Sequence, residues 1–326
     1  MRISAFVSAL AAVVCAGVTA TVGTPAWAQE VSKRPIRLLV PSPPGGPSDF
    51  AARLVSPKLS EALGRQVIVD NRQSVNGILA TEMAANAPPD GNTLLIGNNG
   101  TMVMNHGLYK KLPYDALRDF VPITQLVSAG TALVASPKLA PKTFKEFVAA
   151  ARKDPGKLNV GVAGANGAVG TEVLKHAAGI KLTNIPYKGS SPTEQAIIAG
   201  EIDVALLSVP VVTPHVKNGR MKIYGVTTAK RSNLLPDVPT IQEQGLEGYE
   251  FGNWHGLLAP KGTPDKVIRE VHRAAVQVLK TKEMQELVLA RGNEVIANSP
   301  EQFAAMLKRE VPRYKKIIAE SGIEIQ

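Results

Sequence analysis

The sequence predicts an α/β protein in which mostly parallel strands alternate with helices. Short apolar runs recur along the chain, and each leads through a Gly-, Pro- or Ser-rich loop into an amphipathic segment. Residues 1–28 have the layout of a removable leader, so 298 of the 326 residues remain after its removal. That length exceeds what one hydrophobic core usually holds, and we therefore expect two domains.

The first elements show the pattern most clearly. Residues 36–40 (IRLLV) form an apolar run typical of a buried parallel strand, and residues 41–47 (PSPPGGP) end it. Ser48 offers N-cap chemistry for a helix over residues 50–63, and Gly64 ends that helix.

The later elements repeat this order. Apolar runs predict further strands, and amphipathic segments that start at a capping residue such as Thr143 predict further helices. The predicted strands cover residues 36–40, 66–69, 93–96, 133–135, 158–162, 184–186, 204–207, 223–227 and part of 251–259. The predicted helices cover residues 50–63, 78–87, 143–153, 171–178, 192–199, 212–217, 240–244, 264–280, 281–291 and 300–321.

The leader predicts export. Arg2 gives a positive start, residues 5–18 are apolar, and residues 26–28 read Ala-Trp-Ala, which predicts a secretory signal peptide cleaved after Ala28. The apolar run is shorter than the roughly 20 residues that a membrane-spanning helix needs. Two alternatives are an uncleaved N-terminal anchor and a lipid anchor on Cys15.

Composition argues against several classes of function. Cys15 is the only cysteine and leaves with the leader, so the mature chain has no disulfide, thiol nucleophile or cysteine metal ligand. The chain has 37 Lys and Arg against 27 Asp and Glu, and loss of Arg2 lowers the formal net charge from +10 to +9. The basic residues are dispersed and aromatic residues make up 5% of the chain, which indicates a solvated surface and not a nucleic-acid site.

The first strand-to-helix loop is the sharpest local feature. Gly45 and Gly46 expose backbone N–H groups immediately before a helix start, where a helix dipole and unpaired amides favour an anion. The alternative is an ordinary tight turn in which Ser48 or Asp49 serves only as a cap. Asp49 argues against a bare anion site, although Arg53, four residues on, can neutralise it.

Three other strand-end segments leave alternatives open. Residues 161–170 (GVAGANGAVG) fit neither dinucleotide nor phosphate-loop spacing, so they predict either a Gly-rich loop for a small ligand or a flexible connection. Residues 97–101 (GNNGT) carry polar side chains that either bind a ligand or form the turn. Tyr187 ends a predicted strand, where it either contacts a ligand or marks the boundary of the core.

Catalytic and metal-binding signals are weak. The sequence has neither a G-x-S-x-G nucleophile elbow nor an H-E-x-x-H zinc motif. No two of its five histidines lie three or four residues apart, as a helical metal pair requires. We therefore expect no metal, no cofactor and no catalytic residue, although a triad assembled only in space stays open.

Nine segments match one pattern in order and spacing over almost the whole mature chain. They are VPSPPGGPSDFAARL (40–54), VIVDNR (67–72), APPDGNTLLIGNNGT (87–101), LYKKLPYDALRDFVPI (108–123), KTFKEFVAAARKDPGKLNVG (142–161), IPYKGSSP (185–192), GEIDVALLSVP (200–210), TTAKRSNLLPDVPTIQEQG (227–245) and WHGLLAPKGTP (254–264). With these segments the chain resembles the Bug-type extracytoplasmic solute receptors, the binding proteins of tripartite tricarboxylate transporters.

The resemblance implies a two-lobed fold of the periplasmic-binding-protein type II kind, with two crossover strands and a ligand cleft between the lobes. It places the crossings near residues 128–134 and 251–258, so that lobe 1 combines residues 29–128 with 252–326 and lobe 2 covers residues 129–251. In such receptors the first strand-to-helix loop holds a carboxylate through backbone groups and ordered waters. Carried over by position, the expected ligand-binding residues are Ser42, Pro44, Gly45, Gly46, Ser48, Asp49, Asn98, Thr101, Asn166, Gly167, Ala168, Tyr187 and Ser208.

The function that the resemblance implies is capture of a small carboxylate. The chain is then expected to be a periplasmic monomer that delivers its ligand to the membrane permease subunits of a tripartite transporter. Residues 73–77 and 167–169 depart from the usual pattern of the family, which bears on the identity of the ligand. The alternatives are a sensor that feeds a signalling receptor and an exported hydrolase.

Overall fold

The computed structural model describes residues 34–187, 189–321 and 323. The predicted signal peptide at residues 1–28 lies outside them. This part of the chain forms the strands β1 (Ile36–Val40), β2 (Val67–Asn71), β3 (Thr93–Asn98), β4 (Phe120–Ala135), β5 (Asn159–Ala163), β6 (Thr183–Tyr187), β7 (Val204–Ser208), β8 (Lys222–Val226), β9 (Gly252–Pro260) and β10 (Asn293–Val295).

Helices connect most of these strands. They are α1 (Pro47–Leu63), α2 (Ile78–Ala85), α3 (Asn105–Leu108), α4 (Phe144–Lys153), α5 (Gly164–Ala178), α6 (Ser190–Ala199), α7 (Val209–Lys217), α8 (Asp265–Leu279), α9 (Lys282–Ala290) and α10 (Pro300–Glu320). A 3-10 turn at Val75–Gly77 precedes α2, and a π-helix at Gly100–Met104 precedes α3. Within the described residues, no helix is both long and apolar enough to cross a membrane.

Local chemistry explains where several helices begin and end. The side chain of Thr143 accepts a hydrogen bond from the N–H of Glu146 and so caps α4, as predicted. Ser299 and Gln302 form a reciprocal capping box at the start of α10. Gly64 ends α1 with a φ of 59°, in the left-handed region where glycine carries no Cβ penalty.

The long strand β4 belongs to two sheets. From Phe120 to Gly130 it pairs with β9, and from Thr131 to Ala135 it pairs with β7 and β8. The first sheet runs β2-β1-β3-β9-β4 and carries β10 beside β4, whereas the second sheet runs β4-β7-β5-β6 and carries β8 beside β4. The fold is therefore α/β with a continuous strand that passes from one sheet to the other.

The sheets are mixed, which corrects the expectation of mostly parallel strands. Parallel pairs join β1 to β2 and β3, and β5 to β6 and β7. Every described pair that includes β4 or β9 is antiparallel. In the first sheet β9 runs against both of its neighbours, β3 and β4, and in the second sheet β4 runs against β7 and β8. No local pattern encodes these relations.

Apolar side chains fix the helices on both faces of the sheets. On one face of the first sheet, α1 and α8 pack together through buried residues that include Val55, Leu59, Val271 and Ala275. On the other face, α10 packs through Phe303 and Leu307. Each fully buried Leu or Val stabilises this packing by about 1.5–3 kcal/mol.

The Gly-rich segment 161–170 is not a loop, contrary to both alternatives that the sequence left open for it. The strand β5 reaches Ala163 and the helix α5 starts at the next residue, Gly164. The missing side chain of Gly170 makes room for a neighbour, because a Cβ at this position would overlap the ring of Phe251. Glycine serves close packing here, and a pattern of glycines alone cannot distinguish that role from a flexible connection.

Candidate functional site

A cleft of about 720 Å³ opens beyond the carboxyl ends of β1, β3 and β7. This is the position at which sheets of this class bind ligands. Among the residues expected from the sequence, the cleft is lined by Ser42, Gly45, Ser48, Asn98, Thr101 and Ser208. Three loops that are distant in the sequence therefore meet at one cavity.

The first loop is braced by the buried carboxylate of Asp49. It accepts hydrogen bonds from the N–H of Gly45 at 2.8 Å, from Nε of Arg53 at 2.9 Å and from Nδ2 of Asn71 at 2.9 Å. Burial raises the pKa of Asp49, but the bonds from Arg53, Gly45 and Asn71 outweigh that effect and hold it below the usual range. The neutralisation of Asp49 by Arg53 is confirmed.

The start of α1 exposes backbone donors beside this loop. Gly46 is the N-cap residue, Pro47 follows it, and no side chain caps the helix. The first intrahelical bond joins the N–H of Phe50 to the carbonyl of Gly46 at 2.9 Å. Pro47 has no N–H, and the N–H of Gly46 donates to the carbonyl of Pro43 at 3.1 Å. The N–H groups of Ser48 and Asp49, in the first turn, have no intrahelical acceptor and favour an anion, as does the helix dipole.

The second loop is held by mutual hydrogen bonds. The N–H of Thr101 donates to Oδ1 of Asn98 at 2.9 Å, and the N–H of Asn98 donates to Oγ1 of Thr101 at 3.1 Å. Nδ2 of Asn98 donates to Oγ of Ser48 at 3.1 Å, which joins the second loop to the start of α1. The segment turns at once into the π-helix Gly100–Met104, where the sequence predicts a loop.

The floor of the cleft consists of residues that sequence reasoning missed. Asn293 of β10, Ala129 of β4 and Asn253 of β9 lie side by side across three strands, and all three line the cleft. His255 lies two residues beyond Asn253 on β9, opposite Asn98 of β3. Alternation along residues 251–259 is the one sequence signal for this floor, since successive side chains of a strand point to opposite faces.

His255 is neutral at neutral pH. Its side chain is buried, and this desolvation lowers the pKa of His255 to about 4. The floor therefore offers uncharged polar groups to a ligand. Arg291 is the one charged residue among the described residues that line the cleft.

The remaining expected residues do not line this cleft. Within the first loop they are Pro44, Gly46 and Asp49, of which Gly46 and Asp49 shape the loop as described above. Gly167 and Ala168 lie in α5, and Tyr187 ends β6. Asn166 lies in the first turn of α5, and its side chain falls outside the described part of the structure. A ligand-binding role for these residues stays a prediction.

In the described part of the chain, no group of three or more His, Cys, Asp or Glu side chains is arranged to hold a metal ion. The chemistry available in the cleft is thus hydrogen bonding from backbone amides, hydroxyls and carboxamides, together with one guanidinium.

Two relatives match this chain over most of its length. A protein encoded in the tcbD-tcbE intergenic region of a Pseudomonas species is 36% identical over 290 residues, which cover 88% of this chain and 86% of that protein. Protein BugT of Bordetella pertussis is 29% identical over 311 residues, which cover 94% of this chain and 95% of that protein.

Solved structures agree with the two-lobed fold class. A TctC solute-binding protein from Polaromonas superposes with a TM-score of 0.81 at 25% identity, covering 89% of this chain and 100% of that chain. A Rhodopseudomonas palustris protein solved with adipate gives a TM-score of 0.69 at 30% identity, and the match covers 90% of this chain and 99% of that chain. MatC from the same species, solved with bound malate, gives a TM-score of 0.66 at 29% identity, and the match covers 87% of this chain and 99% of that chain.

The family model described as "Tripartite tricarboxylate transporter family receptor" matches residues 51–323, which is most of the chain. The resemblance read from the nine sequence segments is thereby confirmed. The chain belongs to the tripartite tricarboxylate transporter receptor family, which includes the Bug-type proteins.

Proposed function

We propose that this chain is an extracytoplasmic receptor that captures a small carboxylate in the cleft for a tripartite tricarboxylate transporter. The observation that carries the proposal is the lining of the cleft, which combines the uncapped start of α1 with neutral hydrogen-bond donors and, among the described residues, has no acidic side chain. The bound malate and adipate of two structural neighbours support the same class of ligand.

This arrangement suits reversible capture of an anion. Neutral donors bind a carboxylate through charge-assisted hydrogen bonds, and no second buried charge has to be desolvated. Asp49 does not repel the ligand, because its carboxylate is engaged by Gly45, Arg53 and Asn71. The loop therefore keeps its own charge paired, and the N–H groups that remain for a ligand are those of Ser48 and Asp49 at the start of α1.

The proposal includes export, two lobes and membrane partners. We take the signal peptide as cleaved after Ala28, the location as periplasmic and the receptor as a monomer. Residues 29–128 with 252–326 form lobe 1 and residues 129–251 form lobe 2, a division supported by the passage of β4 between the sheets at Gly130 and Thr131. Closure of such lobes on a ligand gives the permease subunits a shape to recognise.

Thermal unfolding with a panel of acids tests the proposal. The protein is first unfolded and refolded to remove any copurified ligand, and hexanoate, adipate, malate and citrate are then added separately. A ligand at about 100 times its Kd stabilises the native state by about 2.7 kcal/mol, so at least one acid should raise the Tm. A cooperatively folded sample that responds to none of them contradicts the proposal.

The Asn98→Asp variant sharpens this test. It places a carboxylate in the cleft, while the existing Oδ1 acceptor of the N–H of Thr101 is retained. Repulsion should abolish the ligand-induced rise in Tm. The control is Asn86→Asp, which adds the same charge at an exposed position outside the cleft and should leave the rise intact.

Activity and gene context test the role of the receptor. Hydrolysis of an ester or amide that disappears on changing one Ser–His pair would overturn a receptor function in favour of an exported hydrolase. Genes for a small and a large membrane subunit beside this one support transport, whereas a receptor histidine kinase in their place contradicts it and favours a sensor.

A further inference from the structure

The only formal charge among the described residues that line the cleft is positive. The described lining residues include Arg291 and no Asp, Glu or Lys. The other polar groups there are neutral, and His255 is held in its neutral form by burial. A single fixed cation in an otherwise uncharged cavity attracts an acidic group of a ligand and discriminates against ligands that lack one.

The Arg291 side chain is held without an acidic partner. Arg291 is an exposed residue, and its guanidinium carbon lies 5.3 Å from the ring centroid of Phe50 in a cation–π contact. Within the described residues, no carboxylate forms an ion pair with Arg291. By contrast, Arg53 is paired with Asp49, and Arg309 and Arg313 are paired with Glu310.

The backbone around Arg291 is fixed by local hydrogen bonds. The carbonyl of Arg291 accepts from Nδ2 of Asn293 at 3.1 Å, and the N–H of Gly292 donates to the carbonyl of Leu289 at 2.8 Å. The loop also leads directly into β10, which is paired with β4. The backbone of Arg291 is fixed by these bonds, and its guanidinium contacts the ring of Phe50. The side chain is therefore positioned before a ligand arrives, which lowers the entropy cost of binding.

Arg291 approaches the cleft from the end opposite to Asn98. The floor runs from β3 through β9 and β4 to β10, so Asn98 and Asn293 lie three strand spacings, about 14 Å, apart across the sheet and are offset by two residues along it. The neutral donors around Asn98 and Thr101 thus lie at one end, and Arg291 extends from the other end towards Phe50. One small molecule that spans part of this floor can meet both.

We infer that Arg291 binds a second acidic group of the ligand and makes this receptor selective for dicarboxylates over monocarboxylates of equal chain length. The inference rests on the proposed function, because the neutral donors must hold the first carboxylate. The guanidinium of Arg291 can form two parallel hydrogen bonds with a carboxylate of the ligand. An amide side chain in place of the arginine cannot make this pair of bonds, and neither can a ligand that ends in a methyl group.

Calorimetric titration with adipate and hexanoate, which have carbon chains of the same length, tests the inference. The refolded wild-type protein should bind adipate more tightly than hexanoate. In Arg291→Gln the affinity for adipate should fall by about tenfold or more, with the affinity for hexanoate unchanged within about twofold. The Arg291→Lys variant keeps the positive charge but lacks the two parallel donors of a guanidinium. It should recover part of the preference for adipate over hexanoate.

Arg273→Gln is the matched control, since Arg273 is an exposed arginine on α8 outside the cleft. It should bind both acids as the wild type does. Equal loss of affinity for the two acids in Arg291→Gln, or no loss for either, overturns the inference while the proposed function stands. A wild-type protein that binds neither these acids nor malate nor citrate overturns the proposed function itself.

Discussion

Asp49 is a buried carboxylate whose hydrogen bonds set the shape of the first loop. Burial raises its pKa, but the bonds from Arg53, Gly45 and Asn71 bring that pKa below its usual range. Folding therefore favours the charged form. The resulting stabilisation is present above the unfolded-state pKa of about 3.9 and is lost as the pH falls through the lower folded-state value.

The Asp49→Asn variant should lower the free energy of unfolding by about 1–3 kcal/mol at pH 7, because the charged acceptor of three hydrogen bonds is lost. Urea denaturation at pH 7 and near pH 3 measures this difference, which should shrink in acid. Asp265→Asn is the control: Asp265 is 88% exposed, so its removal should change stability by less than about 0.5 kcal/mol. Equal effects of the two variants would contradict the bracing role of Asp49.

His255 has the same direction of pH dependence as Asp49, although the form that folding favours is here the neutral one. Its folded-state pKa of about 4 lies below the ordinary value of 6.5, so folding favours the neutral form. The contribution of His255 to the free energy of unfolding is fully present above pH 6.5 and decreases towards pH 4. Over this interval the histidine binds a proton in the unfolded chain but stays neutral in the folded chain. At 1.36 kcal/mol per pH unit, the loss attributable to His255 is roughly 3 kcal/mol.

Urea denaturation of His255→Asn between pH 7 and pH 4 checks this expectation. The variant should be less stable than the wild type at pH 7, since it loses packing, but its stability should fall less steeply over that interval. Parallel slopes for the two proteins would show that His255 titrates in the folded state near its ordinary pKa, and would contradict its burial in the neutral form.

At the scale of elements, the loop between α9 and β10 contacts the start of α7. Gly292 has a φ of 68°, and a Cβ at this position would overlap the ring of Pro210. The contact joins an element of the first sheet to one that follows the second sheet. It also holds the loop that carries Arg291.

The Gly292→Ala variant should therefore destabilise the protein by more than backbone strain alone. Gly219 has the same φ of 68° with no atom within 4 Å of its virtual Cβ, so Gly219→Ala isolates the strain, which is about 1–2 kcal/mol. We expect Gly292→Ala to cost a further 1–3 kcal/mol, roughly the usual effect of overpacking, in thermal or urea unfolding. If the two variants destabilise the protein equally, the loop that carries Gly292 moves away from Pro210 at no cost in free energy, and the contact does not hold it.

Elements with strong local signals were predictable, and elements defined by tertiary pairing were not. The strand β1, its Pro- and Gly-rich loop and the body of the helix α1 follow from apolar runs and breakers. The predicted cap at Ser48 is wrong, because α1 starts at Pro47 behind the N-cap residue Gly46 and no side chain caps it. The strand β10 has three residues and exists only because β4 lies beside it. The extent of β4, sixteen residues, likewise reflects its partners in two sheets more than its own pattern.

The candidate site was predictable to the same extent. Its first and second loops follow strands with clear patterns, which point to Gly45 and to residues 97–101, and the family resemblance adds Ser42 and Asn98 by position. Asn253 and Arg291 enter the cleft because β9 and β10 pair with β4, and that pairing has no local signal. The resemblance to a family transfers motifs by position, and none of the nine matched segments includes residue 291.

At the scale of the whole molecule, β4 and β9 separate two cavities. Ala129 and Asn253, paired across the two strands, line the ligand cleft. The next pair, Ser128 and Trp254, lines a second cavity of about 290 Å³. Because successive side chains alternate between faces, this cavity lies behind the floor of the cleft. In the proposed closure of the lobes, bending of the two strands therefore changes both cavities together.

Trp254 can report that motion. The two tryptophans of the chain are Trp27, in the predicted leader, and Trp254, which is 9% exposed and packs edge-to-face on Phe303 at 5.2 Å. Saturation with adipate, or with whichever acid the thermal panel identifies, should shift the emission maximum of the mature protein or its quenching by acrylamide. The Trp254→Phe variant should lose the signal while calorimetry still shows binding. Calorimetric saturation with no change in emission or quenching would mean that the lobes do not close about β4 and β9, and the proposed division of the chain at these strands would then fail even if the ligand-binding site stands.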